Sequence, residues 1–311
     1  MDKTCDQSGG FMKQNISQNS NPADANQITR EYFDSLMIEM RHIDSVIPST
    51  TLTLYGETFA TPVMTAALSH LNNCHPGGLA EMARGAAAAN AVMWTGMGEE
   101  SELEAITATG ARTIKIIKPH ADNQNIYRKL EHAEQCNCLA VGMDIDHAFN
   151  SKGQYDTVLG LPMTGKTLDE IKDFVKATKL PFIIKGVLSE RDADKCLEAG
   201  VKGIVISHHH GIQSFAIPPL MILPKLAKLV NHRIPIFVDC GVSNGMDAFK
   251  ALALGATAVS VGRELMTHLS TAGASGITNR IHEITQELAG AMARTCSCDL
   301  KNIDPSVIWT R

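Results

Sequence analysis

The chain has 311 residues, 44% of them hydrophobic and 20% charged, with a formal net charge of -5. That balance supplies a sizeable core and no basic surplus for nucleic acid or anionic lipid, and no apolar run nears the roughly 20 residues that span a bilayer. Eight cysteines without a dense framework, and no apolar signal core at the N-terminus, lead us to expect reduced thiols and a cytoplasmic protein with no membrane partner.

Residues 1–27 are rich in Asn, Gln and Ser and are expected to form a mobile tail, leaving 28–311 as a single domain. Short apolar runs then alternate with amphipathic segments. Strands are expected at PVMTA from Pro62, AVMWT from Ala91, TIKII from Thr113, LAVGMD from Leu139, PFIIKG from Pro181, GIVIS from Gly203, PIFVD from Pro235 and AVSVG from Ala258. Helical patterns lie between them, including GGLAEMARGAAAAN, IYRKLEHAEQ, TLDEIKDFVKAT, SERDADKCLEAG and GMDAFKALALG. The strands are apolar throughout, as in a parallel sheet covered on both faces, and about eight β/α units predict an α/β fold of the (β/α)8 barrel type. An open doubly wound sheet is disfavoured by the unit count and by the lack of a G-x-G-x-x-G turn after the first strand.

In such a barrel the chemistry lies just past each strand, which points to Lys185, Ser207 to His210, Asp239, Gly262 and Arg263. Glycine-containing loops after the seventh and eighth strands, with Arg263 at a helix start, suggest a phosphate cradle. Metal binding by the triplet His208, His209 and His210 is a poor reading, because successive residues on an extended segment point in opposite directions. We therefore expect no metal ligand.

The motifs LPFIIKGVLSERDA, GIVISHHHG with Gln213, IPIFVDCGVSNGMDAFKALALGA and VGRE, preceded by TPVMTAALSH and HPGGLAEMARGAAAANAVM, resemble the FMN-dependent α-hydroxy-acid oxidase and dehydrogenase family. The resemblance runs from about Arg30 to the end. It implies FMN as cofactor, a small-molecule substrate oxidised at a CH–OH group, and a homo-oligomer, often a tetramer. It implies that His209 is the base taking the substrate's hydroxyl proton, with Asp144 supporting it. Ser69, Lys185, Ser207, Asp239, Gly241, Gly262 and Arg263 fall on positions that hold FMN in the family, Lys185 beside the flavin ring and Arg263 at the phosphate.

The likeness breaks at the substrate. The family arginine that clamps the substrate carboxylate aligns with Ile212, its tyrosine after the third strand with Ile117, and its flavin-contacting glutamine with Lys115. A second family arginine, after the fourth strand, has no clear equivalent; only Lys152 is a nearby cation. The substrate is therefore expected not to be a simple 2-hydroxy acid. Two other readings stand beside this one. The first is an FMN-dependent isomerase resembling type 2 isopentenyl diphosphate isomerase, which would draw on Lys115, Lys118 and Lys152; the second is a binding protein that keeps FMN without turnover.

Overall fold

The eight apolar runs form eight parallel strands in a computed structural model that describes residues 21–311. They are β1 (Val63–Thr65), β2 (Met93–Thr95), β3 (Thr113–Ile117), β4 (Ala140–Asp144), β5 (Phe182–Val187), β6 (Gly203–Ile206), β7 (Ile236–Val238) and β8 (Ala258–Val261). Neighbours follow the order β1-β8-β7-β6-β5-β4-β3-β2. The Thr65 N–H donates to the Val92 carbonyl at 3.2 Å and joins β1 to the β2 edge, closing the ring.

The unbroken apolarity of these strands has two uses. One parity, including Met64, Trp94, Ile114, Ile116, Ile183, Val205 and Phe237, fills the barrel interior. The other, including Val63, Met93, Val141, Ile184, Ile204, Val238 and Val259, packs beneath the helices. Each fully buried side chain of this size contributes about 1.5–3 kcal/mol. The N-terminal end of the barrel is plugged by an antiparallel hairpin, Leu52–Leu54 with Glu57–Phe59, whose Leu52, Leu54 and Phe59 join the interior cluster.

The helices that cover the barrel are α2 (Gly78–Ala88), α3 (Glu100–Thr107), α4 (Asn123–Gln135), α5 (Leu168–Lys176), α6 (Glu190–Ala199), α7 (Pro219–Val230), α8 (Gly245–Ala253) and α9 (Arg263–Ala293, kinked at Gly273). Their ends follow local chemistry. Thr167 and Glu170 make a reciprocal capping box on α5, and Ser189 accepts from the Asp192 N–H to cap α6. Chain-end residues Ile308–Thr310 pair antiparallel with Leu36–Ile38. No helix among the described residues is long and apolar enough to cross a membrane, and the seven described cysteines are free.

One expectation needs correction. Residues 1–20 of the anticipated tail lie outside the described residues, but the helix α1 (Ala25–Ser35) begins before residue 28, with Asp24 as its N-cap. Spaced four apart, Ala25, Thr29 and Phe33 are buried on one face. This helix docks on the loops that follow β6 and β7, so it belongs to the site rather than to a tail.

Candidate active site

Inward parity continues past the C-terminal ends of the strands, where the apolar filling gives way to polar groups: Asp144 on β4, Lys185 on β5, Ser207 after β6, Asp239 after β7 and Ser260 on β8. Register pairs Lys185 with Asp144 across β5 and β4. Lys185 Nζ lies 3.5 Å from Asp144, 3.6 Å from Asp239 and 3.4 Å from the Ser207 hydroxyl. Burial opposes this ammonium, but Asp144, Asp239 and Asp146 outweigh it and raise its pKa, so Lys185 is a fixed buried cation. Asp144 is likewise penalised by burial, yet Lys185, His209 and Lys118 hold it well below the usual carboxylate range.

His209 Nδ1 lies 3.2 Å from Asp144 Oδ1 and 2.7 Å from Asp146 Oδ1. Burial works against its charged form, and the hydrogen bonds to the two carboxylates overcome this, raising the imidazole pKa. Gly186 lets Asp146 approach: its φ of +96° suits glycine, and a Cβ there would sit 2.7 Å from Asp146 Oδ2.

The other two histidines of the triplet turn away, for a reason different from the one expected. The segment is not extended; His209 and His210 adopt left-handed φ of 47° and 57°. His208 Nδ1 accepts from the Gly211 N–H, so its Nε2–H donates to Thr29 Oγ1 at 2.8 Å. His210 meets Asn26 through both its ring and its carbonyl. Both clamp α1 to the mouth, and only His209 joins Asp144.

Past β8, Gly262 precedes α9 with no side-chain cap, and the exposed Arg263 has no carboxylate partner among the described residues. Its charge depresses His208 and His210, after burial has done so. By contrast the start of α8 is already satisfied, by Asn244 and Glu287. An uncapped helix start beside a free guanidinium is a place for an anion. Gly241 contributes less directly than expected, since its positive φ serves to admit Thr29 and Phe33 of α1, and its carbonyl accepts from Arg30. Ser69 sits part-exposed at the rim against Gly96.

Three residues expected near the substrate are elsewhere. Lys115 and Ile117 have outward parity, Ile117 packing in the cluster beneath the helices and Lys115 buried behind the sheet near Lys129 and Glu102, where burial lowers its pKa to about 8. Side-chain alternation makes a single-residue offset decisive, and the residue facing the mouth from β3 is Lys118, 2.7 Å from Asp144. Lys152 is exposed in the loop after β4. Ile212 does lie past β6, 40% exposed.

Sequence reasoning also missed Asp146 and His147, which belong to a 3-10 turn (Ile145–Ala148) directly after β4. His147 Nε2 lies 3.1 Å from His209 Nε2, and its Nδ1 lies 3.3 Å from Asp156. The DHAFN run carried titratable groups at the catalytic end of a strand, which was the available signal. Around the mouth stand exposed apolar side chains, with Phe149 stacked on Tyr155 at 5.3 Å, Leu159 and Leu161 on the hairpin Thr157–Val158 with Leu161–Pro162, and Phe215 beyond Ile212.

A family profile described as FMN-dependent dehydrogenase matches residues 10–167 and 163–310. A peroxisomal (S)-2-hydroxy-acid oxidase of Oryza sativa subsp. japonica is 29% identical over 281 residues, which is 79% of this chain and 76% of that protein. A 2-hydroxyacid oxidase of Dictyostelium discoideum is 38% identical over 144 residues, spanning 46% of this chain and 37% of that protein. Among solved structures, a mandelate oxidase variant with the monooxide FMN adduct superposes with a TM-score of 0.84 at 26% identity, covering 95% of this chain and 93% of that one.

Proposed function

Since the chain belongs to the FMN-dependent dehydrogenase family, we propose that its barrel mouth oxidises the CH–OH carbon of a hydroxy acid, with His209 as the base and Asp144 as the carboxylate behind it. The observation that carries the reading is the buried cluster of Lys185, Asp144 and His209, a fixed cation and a carboxylate-supported imidazole at the catalytic end of the barrel. The residues present fit FMN. The uncapped start of α9 and the unpaired Arg263 suit its phosphate, and Lys185, Ser207 and Asp239 line the inner rim with a buried positive charge. When bound, FMN accepts the hydride from the substrate's carbinol carbon.

His209 takes the hydroxyl proton, and Asp144 with Asp146 stabilises the imidazolium that results. Lys118 and Lys185 are both engaged by carboxylates, and Ile212 offers no charge. Among the described residues no forked cation faces the cluster, so a carboxylate alone gains little there, and the apolar rim of Phe149, Tyr155, Leu159, Ile212 and Phe215 adds contact only for a hydroxy acid with a larger apolar side chain. A diphosphate isomerase is disfavoured by the same facts, because Lys115 points behind the sheet and Lys152 lies outside the cluster. Anaerobic mixing with a panel of 2-hydroxy acids, followed at the flavin absorbance band, tests the proposal. Bleaching by apolar hydroxy acids is expected, and an oxidised spectrum with every member overturns it.

A further inference from the structure

His147 and His209 come from different loops, and no motif pairs them. Their Nε2 atoms lie 3.1 Å apart, with ring centroids 4.3 Å apart and planes at 79°. The remaining nitrogen of each ring faces carboxylate: His209 Nδ1 faces Asp146 at 2.7 Å and Asp144 at 3.2 Å, and His147 Nδ1 faces Asp156 at 3.3 Å. Carboxylates only accept, and those contacts to His209 are closer than the Lys185 ammonium at 3.4 Å, so each Nδ1 carries a hydrogen. In two neutral rings neither Nε2 would then have a hydrogen to give across the 3.1 Å edge-to-face contact, and a single proton between them makes it a hydrogen bond.

We propose that His147 is the proton partner of the base: the two Nε2 atoms share one proton, Asp156 holds the second ring in place, and the proton that His209 takes from substrate leaves through His147. The proposal rests on the hydroxy-acid oxidation proposed above. His147 acts through His209 and is a positioning and relay residue. The path runs from Asp144, with 4% of its side chain exposed, through His209 at 26% and His147 at 23% to Asp156 at 25%.

The step balances without an oxidant. The substrate O–H bond breaks and its proton joins His209 Nε2 as the shared proton shifts onto His147 Nε2; His147 then releases that proton to water, so both rings keep hydrogen on Nδ1 and the substrate's proton takes the shared position. The surroundings favour this order. Asp144 from β4, Asp146 from the same turn and Lys185 from β5 face His209, whose pKa is raised; Lys118 from β3, Asp144 and Asp156 face His147, whose pKa is lowered by burial first and by Lys118 and His209 next. His147 is therefore the weaker base of the pair, holds the shared proton only briefly and releases it, which frees His209 Nε2 for the substrate proton.

The test is a pH titration of ring nitrogen resonances in FMN-bound protein labelled with ¹⁵N-histidine, for wild type, His147→Gln and Asp156→Asn. Glutamine keeps a hydrogen-bond acceptor and cannot carry a proton. In wild type the two rings should titrate as a coupled pair, with apparent pKa values more than about one pH unit apart. In His147→Gln, His209 should show a single transition. The same variant should lose about tenfold or more in steady-state turnover, with a changed pH profile and solvent isotope effect, at unchanged FMN content and melting temperature. Asp156→Asn should fall between. Independent titration of the two rings in wild type, or a His147→Gln pH profile superimposing on wild type, overturns the proposal. Coupled rings without flavin reduction by any hydroxy acid would refute the oxidation and leave the pair; rapid reduction with uncoupled rings would do the reverse.

Discussion

Asp144→Asn is the most informative single change, because this carboxylate is where the two lysines and the base converge. Its side chain is 4% exposed and receives Lys118 at 2.7 Å, His209 at 3.2 Å and Lys185 at 3.5 Å. An amide keeps the shape and removes the charge, leaving Lys185, 6% exposed, with Asp239 at 3.6 Å, and Lys118, 11% exposed, with no carboxylate ion-pair partner among the described residues. Breaking a buried ion pair by removing one partner costs about 3–5 kcal/mol. At about 2–4 °C per kcal/mol for a domain of this size, the melting temperature should fall by about 6–20 °C. The native pKa of Asp144 is lowered, so its contribution is fully present above the unfolded carboxylate value, about 4, and is lost as pH falls through the native value. The gap between variant and wild type should hold at neutral pH and close only in strong acid. The base should change too. Without Asp144 the His209 imidazolium loses one of its two stabilising carboxylates, so the acid limb of flavin reduction should move to lower pH. Calorimetry from pH 3 to 8 and stopped-flow reduction over the same range supply both readings. A variant that melts within 2 °C of wild type and keeps the same acid limb would refute the coupling of these charges.

The remaining predictions are narrower. In wild type, His209 has its pKa raised above the ordinary 6.5, so flavin reduction should be slow below that raised value, where the base is protonated, and increase as pH passes through it; a flat profile from pH 5 to 8 would count against His209 as base. His209→Ala should slow reduction by about 10²- to 10⁴-fold with FMN retained. His208→Ala should leave reduction intact while weakening the α1 dock by about 1 kcal/mol, measured by urea unfolding, because it removes the buried bond to Thr29. Arg263→Ala should weaken FMN binding by about 10- to 100-fold, from the loss of charge-assisted contacts worth about 1.5–3 kcal/mol, read from the dissociation constant by flavin fluorescence.

The barrel could be read from the sequence because its signal is local and repeated: eight apolar runs separated by capped amphipathic segments specify strands buried on both faces, and buried parallel strands of that number close on themselves. Lys185 and the histidine triplet were readable from their places toward the catalytic ends of strands, whereas Asp144 and the choice of His209 within the triplet were reached through the likeness of the motifs to the family. What the sequence left undecided depends on parity and on distance across the fold. A motif alignment put Ile117 and Lys115 at the mouth, but inward and outward alternate residue by residue, and register with β4 turns both behind the sheet and brings Lys118 to Asp144. Helix α1 was hidden inside a polar stretch because its buried face is short and finds its partners, His208, His210 and Gly241, about 180 to 210 residues away. His147 meets His209 across 62 positions, and only the folding of one loop beside another, with Asp156 behind it, makes two unremarked imidazoles into a pair.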